Sequence, residues 1–163
     1  MGNGLILTCS KCGYHDDISL GVGFMFPTVY QETVTRIQAG EFGDHWKELF
    51  ESIPGATVNA EDEFYACPSC GHYSVEPNLA IYAPKDPNES KVHPEGFSVC
   101  NPARDKEYVT PWEIGTKCRL VKTYVHRCPE CGKRMHKTRT TDRLKCPKCK
   151  AGLMEETDAF NWD

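Results

Sequence analysis

The stretch CPECGKRMHKTRTTDRLKCPKC, Cys128 to Cys149, holds two CxxC pairs with 14 residues between them, and seven Lys or Arg against two acids. Two cysteines separated by two residues in a tight turn point both sulfurs at one ion. Two such turns supply the four thiolates of a tetrahedral site suited to zinc or iron. The gap fits one β-hairpin, so Cys128, Cys131, Cys146 and Cys149 are expected to close a single site.

The same turn is written twice more, as CSKCG at Cys9 and Cys12 and CPSCG at Cys67 and Cys70. Proline after the first cysteine fixes one backbone angle, and glycine after the second accepts a positive φ. Only the last turn, CPKCK, lacks that glycine; Lys150 stands there, with Gly152 two positions on. Sequence order pairs Cys9 and Cys12 with Cys67 and Cys70 across 54 residues, which a helical insertion makes plausible. An exchange of partners between the two sites is the alternative, at a higher cost in loop closure. Cys100 and Cys118 are left over, expected as one loop thiol and one small buried apolar side chain. A third site using His93 or His126 would have no regular spacing behind it.

These knuckles resemble the zinc-ribbon families. CSKCGYHDD followed by FYACPSCG is also similar to the two knuckles of rubredoxin, including the aromatic after the first glycine. The chain as a whole resembles small bacterial zinc-ribbon proteins with no assigned activity. The resemblance implies the eight knuckle cysteines as ligands of two Zn²⁺ ions, with iron and a rubredoxin-type electron carrier as the alternative at the first site.

Around the knuckles the chain reads as an α+β protein of metal-stapled β-ribbons. GLILTCSKCGYHDDISL predicts strand, turn, strand, and FYACPSCGHYSVEP repeats the pattern, with a further short strand over Leu79 to Tyr82. Between them two helices are predicted. Tyr30, Val34 and Ile37 recur at helical spacing ahead of Gly40, and Trp46, Leu49, Phe50 and Ile53 share a face behind an Asp44 N-cap. Residues 84–110 carry four prolines and read as a linker or long loop. Thr110-Pro111-Trp112-Glu113 has the form of a capping box. Residues 118–128 predict a strand entering the third knuckle, and LMEETDAFNWD a closing strand with Phe160 and Trp162 as core plugs. The expected division is therefore 1–83, a ribbon with a helical insertion at 28–53; the 84–110 linker; and 111–163, a basic ribbon.

Charge is unevenly spread. Residues 1–116 hold 7 Lys/Arg and 17 Asp/Glu, residues 117–150 hold 12 and 2, and residues 151–163 hold none and 4. Lys133, Arg134, Lys137, Arg139, Arg143 and Lys145 on the basic ribbon are candidate contacts for phosphates, with Tyr124 or Trp112 available for stacking; an acidic protein surface is the other partner they suit. The competing expectation is that these cations only balance dianionic metal sites and the acidic half of the chain. No HExxH, phosphate-binding glycine loop or G-x-S-x-G is present, so a non-enzymatic role is expected. The first apolar run is too short for a signal peptide and no run approaches a membrane span, which together with paired thiols leads to an expectation of a soluble cytoplasmic protein.

Overall fold

The element order is β1 (Gly2–Cys9), β2 (His15–Leu20), α1 (Phe26–Gln38), α2 (Asp44–Ser52), β3 (Thr57–Val58), β4 (Asp62–Ala66), β5 (Tyr73–Pro77), β6 (Ile81–Pro84), α3 (Pro111–Lys117), β7 (Cys118–Lys122), β8 (His136–Lys137) and β9 (Met154–Trp162). These come from a computed structural model that describes residues 2–88, 91 and 107–162. The expected α+β class holds, with three helices and three antiparallel three-stranded sheets among the described residues. Among those residues, no helix is long and apolar enough to cross a membrane. Cys100, His93 and most of the expected linker lie outside the described residues.

The chain divides differently from the expected 1–83 and 111–163. One unit comprises Met1–Gly23, Asp62–Pro77 and Val125–Asp163; the other comprises Phe24–Glu61 and Asn78–Tyr124. The first unit thus collects all four knuckles. The second collects the helices, β3, β6 and β7.

In the knuckle unit, β1 is the centre of a β2-β1-β9 sheet. The tail strand β9 is where the sequence placed it, but its partner is the first strand of the chain, in a register running from Gly2 opposite Trp162 to Cys9 opposite Met154. Glycines in β1 explain the match. A Cβ at Gly2 would stand 2.3 Å from the Trp162 ring and one at Gly4 2.3 Å from the Phe160 ring, so each bare backbone position is covered by an aromatic from across the ladder. Leu7, Ile18, Phe64, Leu144 and Met154 form one small core beside Cys9 and Cys146. Tyr65 of the second sheet, β5-β4-β8, and Met135, just before β8, form another beside Cys67 and Cys128.

The helical unit has a core of its own. Tyr30, Ile37, Trp46, Phe50, Val58, Leu79, Ile81 and Tyr108 are buried together. Helix α1 ends as its sequence predicts: Gly40 sits at φ 78°, its N–H bonds the Ile37 carbonyl at 2.9 Å, and Glu41 N–H bonds Arg36 O at 3.1 Å, the Schellman pattern. Helix α2 starts one residue earlier than expected. Gly43, at φ 96°, is the N-cap, and Asp44 lies in the first turn, where a carboxylate still favours the positive helix end. The capping box forms as written, with Glu113 N–H on Thr110 Oγ1 at 3.1 Å and Thr110 N–H on Glu113 Oε2 at 3.0 Å. The expected strand 118–128 is shorter: β7 stops at Lys122 and pairs with β6. Tyr124, proposed for stacking, instead packs edge-on against Trp46 at 5.1 Å and Phe42 at 6.0 Å. Trp112 is 70% exposed.

Candidate metal centres

Each knuckle closes by the same backbone bond, from the residue after the second cysteine to the carbonyl of the first: Gly13 to Cys9 (3.1 Å), Gly71 to Cys67 (3.0 Å), Gly132 to Cys128 (2.8 Å) and Lys150 to Cys146 (3.0 Å). The fourth residue of that set adopts φ 57°, matching 68°, 77° and 71° at the three glycines. Lys150 therefore occupies a left-handed position that an L side chain enters at a cost of about 1 kcal/mol. The fourth turn is also one residue longer. Cys146 N–H reaches the carbonyl of Gly152, whereas Cys9, Cys67 and Cys128 bond residues Tyr14, His72 and Lys133.

The eight knuckle cysteines gather into two groups, and the pairing differs from that expected. Cys9 and Cys12 meet Cys146 and Cys149; Cys67 and Cys70 meet Cys128 and Cys131. In each group the sulfurs all lie within 4.8 Å of one another. Across the knuckles, Cys9–Cys149 and Cys12–Cys146 stand at 3.7 Å, and Cys67–Cys131 and Cys70–Cys128 at 3.5 Å. A tetrahedral ion with bonds of about 2.3 Å sets its sulfurs about 3.8 Å apart, so both groups fit one ion each. The distances are far beyond a disulfide bond. The sites are nested: in the inner centre Cys70 and Cys128 are 58 positions apart, and in the outer one Cys12 and Cys146 are 134 apart.

Loop entropy argued for neighbours, and magnitude decides why neighbours lose. Each doubling of a loop costs only about 0.6 kcal/mol, so stretching a closure from a separation of 15, Cys131 to Cys146, to one of 134 costs about 2 kcal/mol. Pairing β1 with β9 buries Leu7 and Met154 to 0% and 1% exposure, each contributing roughly 1.5–3 kcal/mol. Strand pairing thus outweighs proximity. The alternating Gly2 and Gly4 opposite alternating Trp162 and Phe160 were the sequence signal for it.

Backbone donors surround the sulfurs. Lys11 N–H points at Cys9 Sγ (3.4 Å), Cys149 N–H at Cys146 Sγ (3.4 Å) and Gly152 N–H at Cys149 Sγ (3.3 Å). Backbone N–H groups of Ala151 and Gly152 hold the Cys149 thiol down to about 6. Cys67, though burial works against it, is held at about 7 by backbone donors from Cys70 and Ser69 and by its thiol neighbours. Cys12 and Cys70 go the other way. Each accepts a backbone hydrogen bond that would lower it, but burial and neighbouring thiols push them to about 11 and about 12. Four thiols this close do not all ionise without a cation, and a divalent ion is the charge the arrangement lacks. Among the described residues no third cluster exists. Cys118 is half-buried, and His126 packs its ring on Tyr65 at 4.3 Å between centroids.

The pairing implied by the rubredoxin likeness does not form, since CSKCG and CPSCG serve different centres. The six candidate basic residues are all exposed. Two buried anchors explain their placement. Met135 packs beside Cys67 and Cys128, and Leu144 beside Cys9 and Cys146, so flanking side chains at 133–137 and 143–145 face outward. Lys137 forms an ion pair with Glu63. Among the described residues, the other five have no ion pair.

Two four-cysteine groups held in β-hairpin knuckles give the fold zinc-ribbon character. Residues 122–156 match the SprT-like zinc ribbon domain, 35 of the 163 residues. That segment spans the third and fourth knuckles, which here belong to different centres. No curated protein and no solved structure matches the chain.

Proposed function

We propose that the protein is a non-enzymatic binding module whose knuckle unit, held by two structural zinc ions, grips single-stranded nucleic acid. One observation carries the reading: Lys133, Arg134, Arg139, Arg143 and Lys145 are exposed without an ion pair among the described residues, on a segment pinned from below by Met135 and Leu144. Cations that merely balanced the acidic half of the chain would be paired; only Lys137 is. Closed four-thiolate centres leave no coordination position for a substrate, which supports a structural rather than a catalytic ion. Zinc is favoured over iron because the two knuckles that resemble a rubredoxin lie in separate centres; protein from iron-replete cells is then colourless.

Fluorescence anisotropy with a labelled single strand tests this. Five phosphate contacts give a slope of log K against log salt of about −3.5. Joint neutralisation of Lys133, Arg134, Lys137 and Arg139 should remove most of that slope while leaving both metals in place. Absence of binding at low salt overturns the nucleic-acid reading and leaves an acidic protein surface as the partner for the same cations.

A further inference from the structure

All four knuckles contribute to one cleft of about 420 Å³ within the knuckle unit, a size suited to a nucleotide-sized ligand. Tyr14 follows the first knuckle and Asp16 lies in β2 beyond it, Tyr73 begins β5 after the second, Glu130 is in the third, and Lys145 and Lys150 flank the fourth. Asp16 is unusual in its strand. It lies on the same face of β2 as Ile18 and Leu20, a row that otherwise turns toward the core. Its Oδ2 accepts a hydrogen bond from Tyr73 Oη at 2.9 Å, which fixes the carboxylate and leaves its second oxygen for a ligand. Burial and Asp16 push the Tyr73 phenol upward, so it stays protonated and keeps donating.

The cleft thus presents the Tyr14 ring, carboxylate acceptors at Asp16 and Glu130, and cations at Lys145 and Lys150. A bare anion would meet the carboxylates and be repelled; a nucleotide satisfies all three features at once. We propose that the cleft takes one unstacked nucleobase bearing an exocyclic amino group, which donates to Asp16, with its phosphate on Lys145 and Lys150. A carboxylate accepts from the amino group of cytosine, and thymine offers none there. This inference rests on the nucleic-acid reading above and adds base selectivity to it.

The test compares oligo(dC) with oligo(dT), roughly 12 nucleotides each, by anisotropy on the zinc-loaded protein at low salt and slightly alkaline pH. The intact protein should prefer oligo(dC) by roughly 10-fold, the lower range of one good base contact. Asp16→Asn keeps an acceptor for Tyr73 but places a donor against the amino group, and should bring the two affinities within roughly 2-fold while the salt slope is unchanged. Should Asp16→Asn lose metal, Glu130→Gln is the second variant, with a smaller loss of preference expected. Equal binding of both oligonucleotides to the intact protein overturns the cleft proposal and leaves the phosphate-gripping reading standing. A preference that survives both substitutions also overturns it. If neither strand binds at low salt, both readings are overturned.

Discussion

Replacing Gly152 by alanine places a methyl carbon 2.4 Å from Cys9 Sγ and 2.8 Å from Lys11 Cβ. An ordinary contact there is about 3.6 Å, so the sulfur and the added carbon must separate by a further 1.2 Å or so. A four-thiolate centre tolerates about 0.2 Å in its bond lengths. Gly152 has little room to move away, because its N–H is on Cys149 Sγ and its carbonyl takes Cys146 N–H at 2.9 Å. Gly152→Ala should therefore empty the outer centre and spare the inner one, lowering bound metal from two equivalents per chain to one. A structural zinc contributes on the order of 10 kcal/mol, so the β2-β1-β9 sheet should lose its protection from hydrogen exchange. Gly132→Ala is the control: it carries the left-handed cost, about 1 kcal/mol, at φ 71°, but nothing lies within 4 Å of its new Cβ, so both metals stay. Metal analysis with chelator competition reads the outcome. Two tightly held equivalents in Gly152→Ala would refute the nested pairing and the close approach together.

Nesting itself is tested by serine scanning: Cys9→Ser and Cys149→Ser should be no worse together than singly, whereas Cys9→Ser with Cys128→Ser should lose both metals. Lys150→Gly relieves a left-handed lysine and should raise stability by about 1 kcal/mol in a denaturant titration; a neutral or destabilising result contradicts the strain. Acid should release metal. In the metal-free protein Cys12 and Cys70, pushed up to about 11 and about 12, hold protons at neutral pH that metal binding must expel. Cys149 and Cys67 are depressed, to about 6 and about 7, so what they contribute is present at higher pH and lost as pH falls through those values. Apparent affinity should thus fall steadily from pH 8 and more steeply below pH 7, and a pH-independent affinity would contradict the thiolate assignment.

Local chemistry was legible in the chain and long-range pairing was not. Four CxxC turns, the glycine-closed end of α1 and the Thr110 capping box depend on residues a few positions apart, and each forms as its sequence implies. The choice of partner for each knuckle depends on strand pairing between residues more than a hundred positions apart. There the preference for short loops is weak, and the complementarity of Gly2 and Gly4 with Trp162 and Phe160 decides the pairing. The domain boundaries moved for the same reason. Tyr124 lies a few residues from the basic segment yet belongs to the Trp46 core, because the chain changes unit between Tyr124 and Val125. The basic side chains were legible as a charge run; Met135 and Leu144, which face them outward, look like unremarkable apolar residues until the two centres are in place.

The nested order also fixes a timetable for synthesis. Cys9 and Cys12 leave the ribosome before the other knuckles, but their partners follow 134 residues after Cys12 and 140 after Cys9. At roughly 5–20 residues per second the first half-site waits on the order of 10 s, while the inner centre already has all its ligands once Cys131 has emerged. The outer thiols are therefore the last to be metallated in each new chain, and for that interval they are open to oxidants, to competing metals and to the wrong knuckle.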